Sequence, residues 1–185
     1  MGLFGWLTRK HNDGARAWRD AWANAVSTLD AAAVPRLEAA LRQQPPFAED
    51  VEVEEEMLDA LKQLLELERD LAAARVPIVE TTHRVVGTDR CHFSAPVSVP
   101  DDPAQPTGRL LLTSTRAVFA GGARTPALPW HGVREIVQAG RDVIFVLARA
   151  GEETGQRFRC NSYAEALCGA AIGRHLIKSA RGARL

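Results

Sequence analysis

The side chains in this chain best suited to chemistry are arginines. Arg109, Arg124, Arg149, Arg157 and Arg159 lie on or beside short apolar runs in the C-terminal half. A guanidinium offers a planar fork of donors that matches phosphate or carboxylate. These five are therefore the candidate anion- or lipid-binding residues. Arg109 and Arg124 are expected at one end of a hairpin, and Arg149, Arg157 and Arg159 along a separate basic strip. Arginines also cover solvent faces of sheets, and Glu152 and Glu153 are placed to neutralise Arg149 and Arg157 in part. Arg116 closes the run Thr113-Ser114-Thr115-Arg116 between two apolar segments, so its expected role is to hold a turn and not to bind a ligand.

Other reactive residues are sparse and scattered. Cys91, Cys160 and Cys168 are too far apart in sequence for a disulfide framework. Cys91-His92 has no second C-x-x-C or H-x-x-x-H to complete a zinc site. His83, His92 and His131 have no sequence partner that would make a base or nucleophile, and no Gly-rich phosphate loop, G-x-S-x-G elbow, H-E-x-x-H or deaminase signature is present. No catalytic residue, metal or cofactor is expected. Nucleic-acid binding is also not expected, because the arginines scatter over strands instead of forming a recognition element.

The elements that must position the arginines follow from pattern and charge. Of 185 residues, 46% are hydrophobic and 25% charged, which places the chain with ordinary globular proteins. The formal net charge of zero hides an asymmetry: residues 1–76 carry 9 Lys+Arg against 14 Asp+Glu, and residues 77–185 carry 14 against 9. Two segments with different surfaces are implied.

The first segment, 1–76, is helical. Spacing predicts helices over about 13–30, 35–44 and 47–75, the first capped by Asn12 or Asp13 and carrying Trp18 and Trp22 on its apolar face. Met57, Leu58, Leu61, Leu64, Leu65 and Leu71 stripe the longest helix, either to pack against those tryptophans or to meet a partner helix. Self-association would use residues 47–75. The opening MGLFGWLTRK sets Leu3, Phe4, Trp6 and Leu7 before Arg9 and Lys10, a short apolar stretch that could rest in a lipid interface or pack on the helices. Those cations come too early for a signal peptide or a transmembrane span, so a cytoplasmic location is expected, with peripheral contact at the inner membrane face.

After Pro77 the period becomes strand-like. Strands are predicted over about 81–86, 90–98, 109–113, 116–120, 125–128, 132–138, 142–149 and 155–160. In the hairpin 109–120, facing residues should have numbers that sum to about 229; for a loop at 151–155 the sum would be about 306, which puts Ala148 opposite Phe158 and Ile144 on the core face. Ser162-Tyr163-Ala164-Glu165 is a capping box that starts a last helix, with Ala164, Leu167, Cys168, Ala171, Ile172 and His175 on one face and a fraying tail through Lys178, Arg181 and Arg184.

Gly108, Leu110, Leu112, Thr113, Arg116, Phe119 and Gly121 then fit G-x-L-x-L-T-x-x-R-x-x-F-x-G, which resembles the central hairpin of GRAM and bacterial PH-like domains. Leu128-Pro129-Trp130 and Gly132 to Ile136 look like the family's next step, and the resemblance covers about residues 78–178. Ala117 stands where the family has a bulky aliphatic, and the loop Asp101 to Gly108 is acidic where a lipid-binding PH domain concentrates cations. The Ala- and Arg-rich composition fits a GC-rich bacterial genome.

The resemblance implies an α+β protein: an N-terminal helical hairpin, then a PH-like antiparallel β-sandwich or barrel capped by a C-terminal helix over 77–185. It also implies a binding or scaffold module without catalytic machinery. Such a module would dock on an anionic membrane surface or an acidic protein partner. The alternative is protein–protein interaction or self-assembly through the long helix, with no lipid role.

Overall fold

The computed structural model describes residues 4–43, 51–121, 126–149 and 152–182, with backbone only for residues 4–13, 51, 148–149 and 152–153. The chain divides into two compact units, residues 1–66 and 67–185.

In the first unit, helix α1 spans Phe4–Thr28, α2 spans Ala33–Arg42, and α3 begins at Val51 and runs to Ala72, its last turns belonging to the second unit. Helix α1 starts well before the predicted cap at Asn12 or Asp13; apolar spacing sets in only after that point, but the preceding residues contain no proline to stop a helix. Trp18 and Trp22 are buried with Ala25, Leu37, Met57, Leu58 and Leu61. A buried indole N–H needs an acceptor. Trp18 Nε1 donates to the Leu37 carbonyl (3.1 Å) and Trp22 Nε1 to the Met57 carbonyl (2.6 Å), so the two rings tie α1 to α2 and α3. Buried Glu54 accepts from Arg19 Nε at 2.7 Å, which compensates its charge.

In the second unit, seven strands form one antiparallel sheet: β1 Cys91–Ser98, β2 Thr107–Thr113, β3 Arg116–Ala120, β4 Ala127–Pro129, β5 Val133–Ala139, β6 Asp142–Arg149 and β7 Glu152–Cys160. Their order is β4-β3-β2-β1-β7-β6-β5, two meanders joined where β1 pairs with β7. Helix α4, Tyr163–Gly182, packs across the inner face. The capping box forms as read: Ser162 Oγ accepts from Glu165 N (3.1 Å), and Glu165 Oε2 accepts from Ser162 N (3.2 Å) and Asn161 N (3.0 Å).

The inner core holds Phe93, Ala95, Val97, Leu110, Leu112, Phe119, Trp130, Ile136, Phe145 and Phe158, with Ala166, Ala170, Ile172, Leu176 and Ile177 from α4. Close approach of the helix depends on Gly169 and Gly173. A Cβ on Gly169 would lie 2.9 Å from the Phe93 ring, and one on Gly173 2.4 Å from Ile136 Cδ1. Trp130 Nε1 donates to the Thr113 carbonyl at 2.9 Å and so fastens the corner between the meanders to the β2–β3 turn.

Three further sequence expectations are corrected. Residues 81–86 form no strand; Arg84–Val86 is a short 3₁₀ turn in a strap that crosses the outer face of the sheet. The β6–β7 register is Val143↔Phe158 and Ala148↔Glu153, a sum of 301 and not 306. The strands reach Arg149 and resume at Glu152, so the connection is three residues shorter than assumed, and an odd change of sum exchanges the faces. Val143 and Phe145 therefore enter the core, and Ile144 faces outward with Arg157. The tail does not fray at Arg181, since α4 continues to Gly182. The hairpin 109–120 has the expected register, Arg109↔Ala120 and Leu110↔Phe119.

Candidate functional site

Pairing fixes which arginines meet. Ser98 on β1 faces both Thr107 on β2 and Arg159 on β7. Side chains two residues apart share a face. Thr107, Arg109, Ser98, Arg157 and Arg159 thus lie on one outer face, with one strand between Arg109 and the β7 pair. The sequence separates these arginines into two groups; the β1–β7 pairing puts three of them on one face, with Arg109 turned toward Ser94. Arg149 sits at the far end of β7's partner strand, opposite Glu152. Arg124 and Leu3 fall outside the described residues, and Phe4, Trp6 and Leu7 belong to the first turns of α1, where only the backbone is described.

Two carboxylates organise the arginines. Asp142, at the start of β6, is only 7% exposed. Arg159 grips it with both arms of its fork, Nε to Oδ1 at 2.8 Å and Nη2 to Oδ2 at 3.0 Å. This hydrogen bond holds the Arg159 pKa above its ordinary value. Arg157 Nη1 lies 3.6 Å from the same carboxylate, while its own fork closes on Asp101: Nε to Oδ2 at 3.2 Å, and Nη2 to Oδ1. Asp101 comes from the β1–β2 loop, 56 residues away in sequence, and its side chain is 56% exposed. That loop is internally braced, since Ala104 N donates to Asp102 Oδ1 (2.9 Å) and Gln105 N to the Asp102 carbonyl (2.8 Å). Arg109 leans on β1, its Nε donating to Ser94 Oγ at 3.0 Å. Arg141 lies over the Tyr163 ring, 5.1 Å from its centroid.

Neither Asp101 nor Asp142 was a candidate on sequence grounds. Asp142 could have been found only from the true β6–β7 register, which places it opposite Arg159. Arg174 and Arg181 were also missed. Arg181 Nη2 donates to the carbonyls of Val133 (3.2 Å) and Arg134 (2.9 Å), and Arg174 Nη1 reaches that of Ile136 (3.5 Å). These helical arginines blunt β5, an edge strand of the sheet.

Arg116 stands elsewhere, at the β2–β3 turn. Its Nη2 donates to the Val85 carbonyl of the strap at 3.2 Å, and its Nε lies 3.9 Å from Asp89. Asp89 Oδ2 also accepts from Thr115 Oγ1 (2.6 Å) and Thr113 Oγ1 (3.1 Å). His92 has a partner after all: its Nδ1 donates to the Pro77 carbonyl (2.7 Å) and its Nε2 lies 3.0 Å from Ser114 Oγ. The ring bridges the strap and the turn.

The cysteines are poor nucleophiles. Burial pushes the Cys160 thiol up to about 12 and Cys168 up to about 11, and it raises Cys91 as well. Among the described residues no group of three or more His, Cys, Asp or Glu could hold a metal ion, and no helix is long and apolar enough to cross a membrane.

Two antiparallel meanders joined through β1 and β7 and closed by a C-terminal helix decide the fold. The second unit is PH-like.

No protein-family model and no curated protein matches the chain. Among solved structures, a C-terminal domain of an unknown protein from Leishmania infantum is similar at 11% identity and a TM-score of 0.41, over 50% of this chain and 89% of that one. The complex of the FERM and C-terminal domains of Drosophila Merlin is similar at 12% and 0.43, over 75% of this chain and 45% of that one. The DH/PH domains of p115-RhoGEF are similar at 12% and 0.43, over 80% and 54%. The chain spans about half the length of the last two. The fold assignment rests on strand order and the closing helix alone.

Proposed function

We propose that this protein is a non-enzymatic binding module of the GRAM type whose second unit docks on an anionic membrane surface. The observation that carries this reading is the gathering of Arg109, Arg157 and Arg159 on one outer face of the sheet. Only one deeply buried carboxylate, Asp142, lies among them within the described residues. Phosphate groups match guanidinium forks, Arg157 holds its carboxylate only at the surface, and the positive excess of residues 77–185 favours approach to a negative surface. Leu3, Phe4, Trp6 and Leu7 add a short apolar contact in this proposal, at the cytoplasmic face. Self-assembly through the long helix is less favoured, because Met57, Leu58, Leu61 and Leu64 are all buried.

Co-sedimentation with phosphatidylglycerol vesicles tests the reading. Pelleting is expected at low salt and should fade as ionic strength rises toward about 0.3 M, since exposed charges are then screened. Arg157→Gln with Arg109→Gln, which leaves the Arg159–Asp142 pair in place, should lose most of it. Absence of pelleting at low salt would overturn the proposal.

A further inference from the structure

The two arginines of β7 are neutralised in different ways. Arg159 holds Asp142, a carboxylate built into β6 and nearly inaccessible to solvent. That pair belongs to the sheet itself. Arg157 lies beside the same carboxylate, but its fork is closed by Asp101, which is carried on an exposed loop. With the loop in place, Asp101 and Asp142 balance Arg157 and Arg159. With the loop lifted, the Arg157 fork faces outward on the same face as Arg109, two strands away.

We infer that Asp101 is an internal stand-in for a phosphate group, and that the β1–β2 loop gates the anion site by occupying the fork of Arg157. This rests on the membrane-docking reading above. Three features support it. The Asp101 carboxylate engages two nitrogens of one guanidinium, the geometry in which arginine also takes a phosphate. The adjacent Asp102 is already used within the loop to hold the Ala104 and Gln105 amides, so the loop keeps its shape without help from Asp101. The pair is solvent-accessible, with Arg157 35% and Asp101 56% exposed, and an exposed pair of this kind exchanges readily for another anion. The gate also gives the acidic β1–β2 loop a role: it sets a threshold of surface charge below which the module stays off the membrane.

The test compares the full chain with Asp101→Asn, Glu135→Gln, and Asp101→Asn combined with Arg157→Gln, using phosphatidylglycerol vesicles at low salt. Glu135 lies on the same outer face, so its variant removes one negative charge without touching Arg157. Asp101→Asn is expected to lower the half-saturating lipid concentration about three- to fivefold, the size of one exposed ion pair. Glu135→Gln should change it less than twofold, and the combined variant should lose the gain. Circular dichroism of each variant confirms the fold.

If the wild type pellets but Asp101→Asn behaves like it or like Glu135→Gln, the gate is wrong and membrane docking stands. If the combined variant keeps the gain, Arg157 is not the gated residue and the inference falls. If no variant pellets, both readings fall. Free inorganic phosphate added in competition should not displace Asp101→Asn from vesicles at concentrations matched for ionic strength with chloride; displacement would mean a soluble phosphate ligand and overturn the lipid assignment.

Discussion

On β1, β2 and β3 the outer face carries Cys91, Leu111 and Val118, all buried beneath Val79, Val85 and Val86 of the strap. On β5, β6 and β7 the same face carries Val137, Arg157 and Arg159, with Val137 37% exposed. One half of the sheet is therefore sandwiched between helix and strap, while the other is covered on its inner side only. The covered half uses its polar groups to fasten the strap, through Arg116, Asp89, His92 and Ser114. The open half uses them at the surface. What separates the two kinds of arginine is the partner and not exposure: Arg116, 39% exposed, reaches a strap carbonyl, whereas Arg157, 35% exposed, reaches a carboxylate on a loop.

The largest expected effect on this contrast is at Leu111. Leu111→Ala should cost about 2–5 kcal/mol in urea unfolding, as for a buried leucine. Val137→Thr on the open half should stay within about 0.5 kcal/mol. Similar costs for the two would erase the distinction between the halves. Next comes Arg116→Ala, which removes the hydrogen bond to the Val85 carbonyl and should cost about 1–2 kcal/mol with vesicle binding unchanged. A variant with wild-type stability and lost binding would move Arg116 to the functional side.

The smallest effect at neutral pH comes from the thiols. Cys160 and Cys168 sit above the ordinary value of 9.0, so protons are held more tightly in the folded chain than in the unfolded one. Their contribution to stability is complete below pH 9.0 and declines as pH rises through about 11 and about 12. Melting temperatures should fall over that range, and Cys160→Ala should flatten the fall. A wild-type melting temperature unaffected by alkali would remove the thiols from the account.

The contrast also explains what the sequence reveals. The β2–β3 hairpin is legible because Thr113 to Arg116 marks a turn between two short apolar runs, and its register follows. The last helix is legible at its start through Ser162 and Glu165. The β6–β7 register is not, since Val143 to Ala148 is apolar at every position and offers no alternation to choose a face. With that register hidden, the Arg159–Asp142 pair was hidden too. The strap was misread because Thr81 to Val86 has the β-branched content of a strand, and its valines do bury, but against a sheet face instead of within a ladder. Arg181 looked like part of a loose basic tail because carbonyls on a strand edge leave no mark in sequence.

The strap also limits how far this module can be transplanted. A graft that keeps only β1 through α4 would carry Leu111 and Val118 side by side on a bare strand surface, an adhesive spot on any host protein. A portable piece must reach back at least to Pro77, whose carbonyl receives His92, even though among the described residues no strand precedes Cys91.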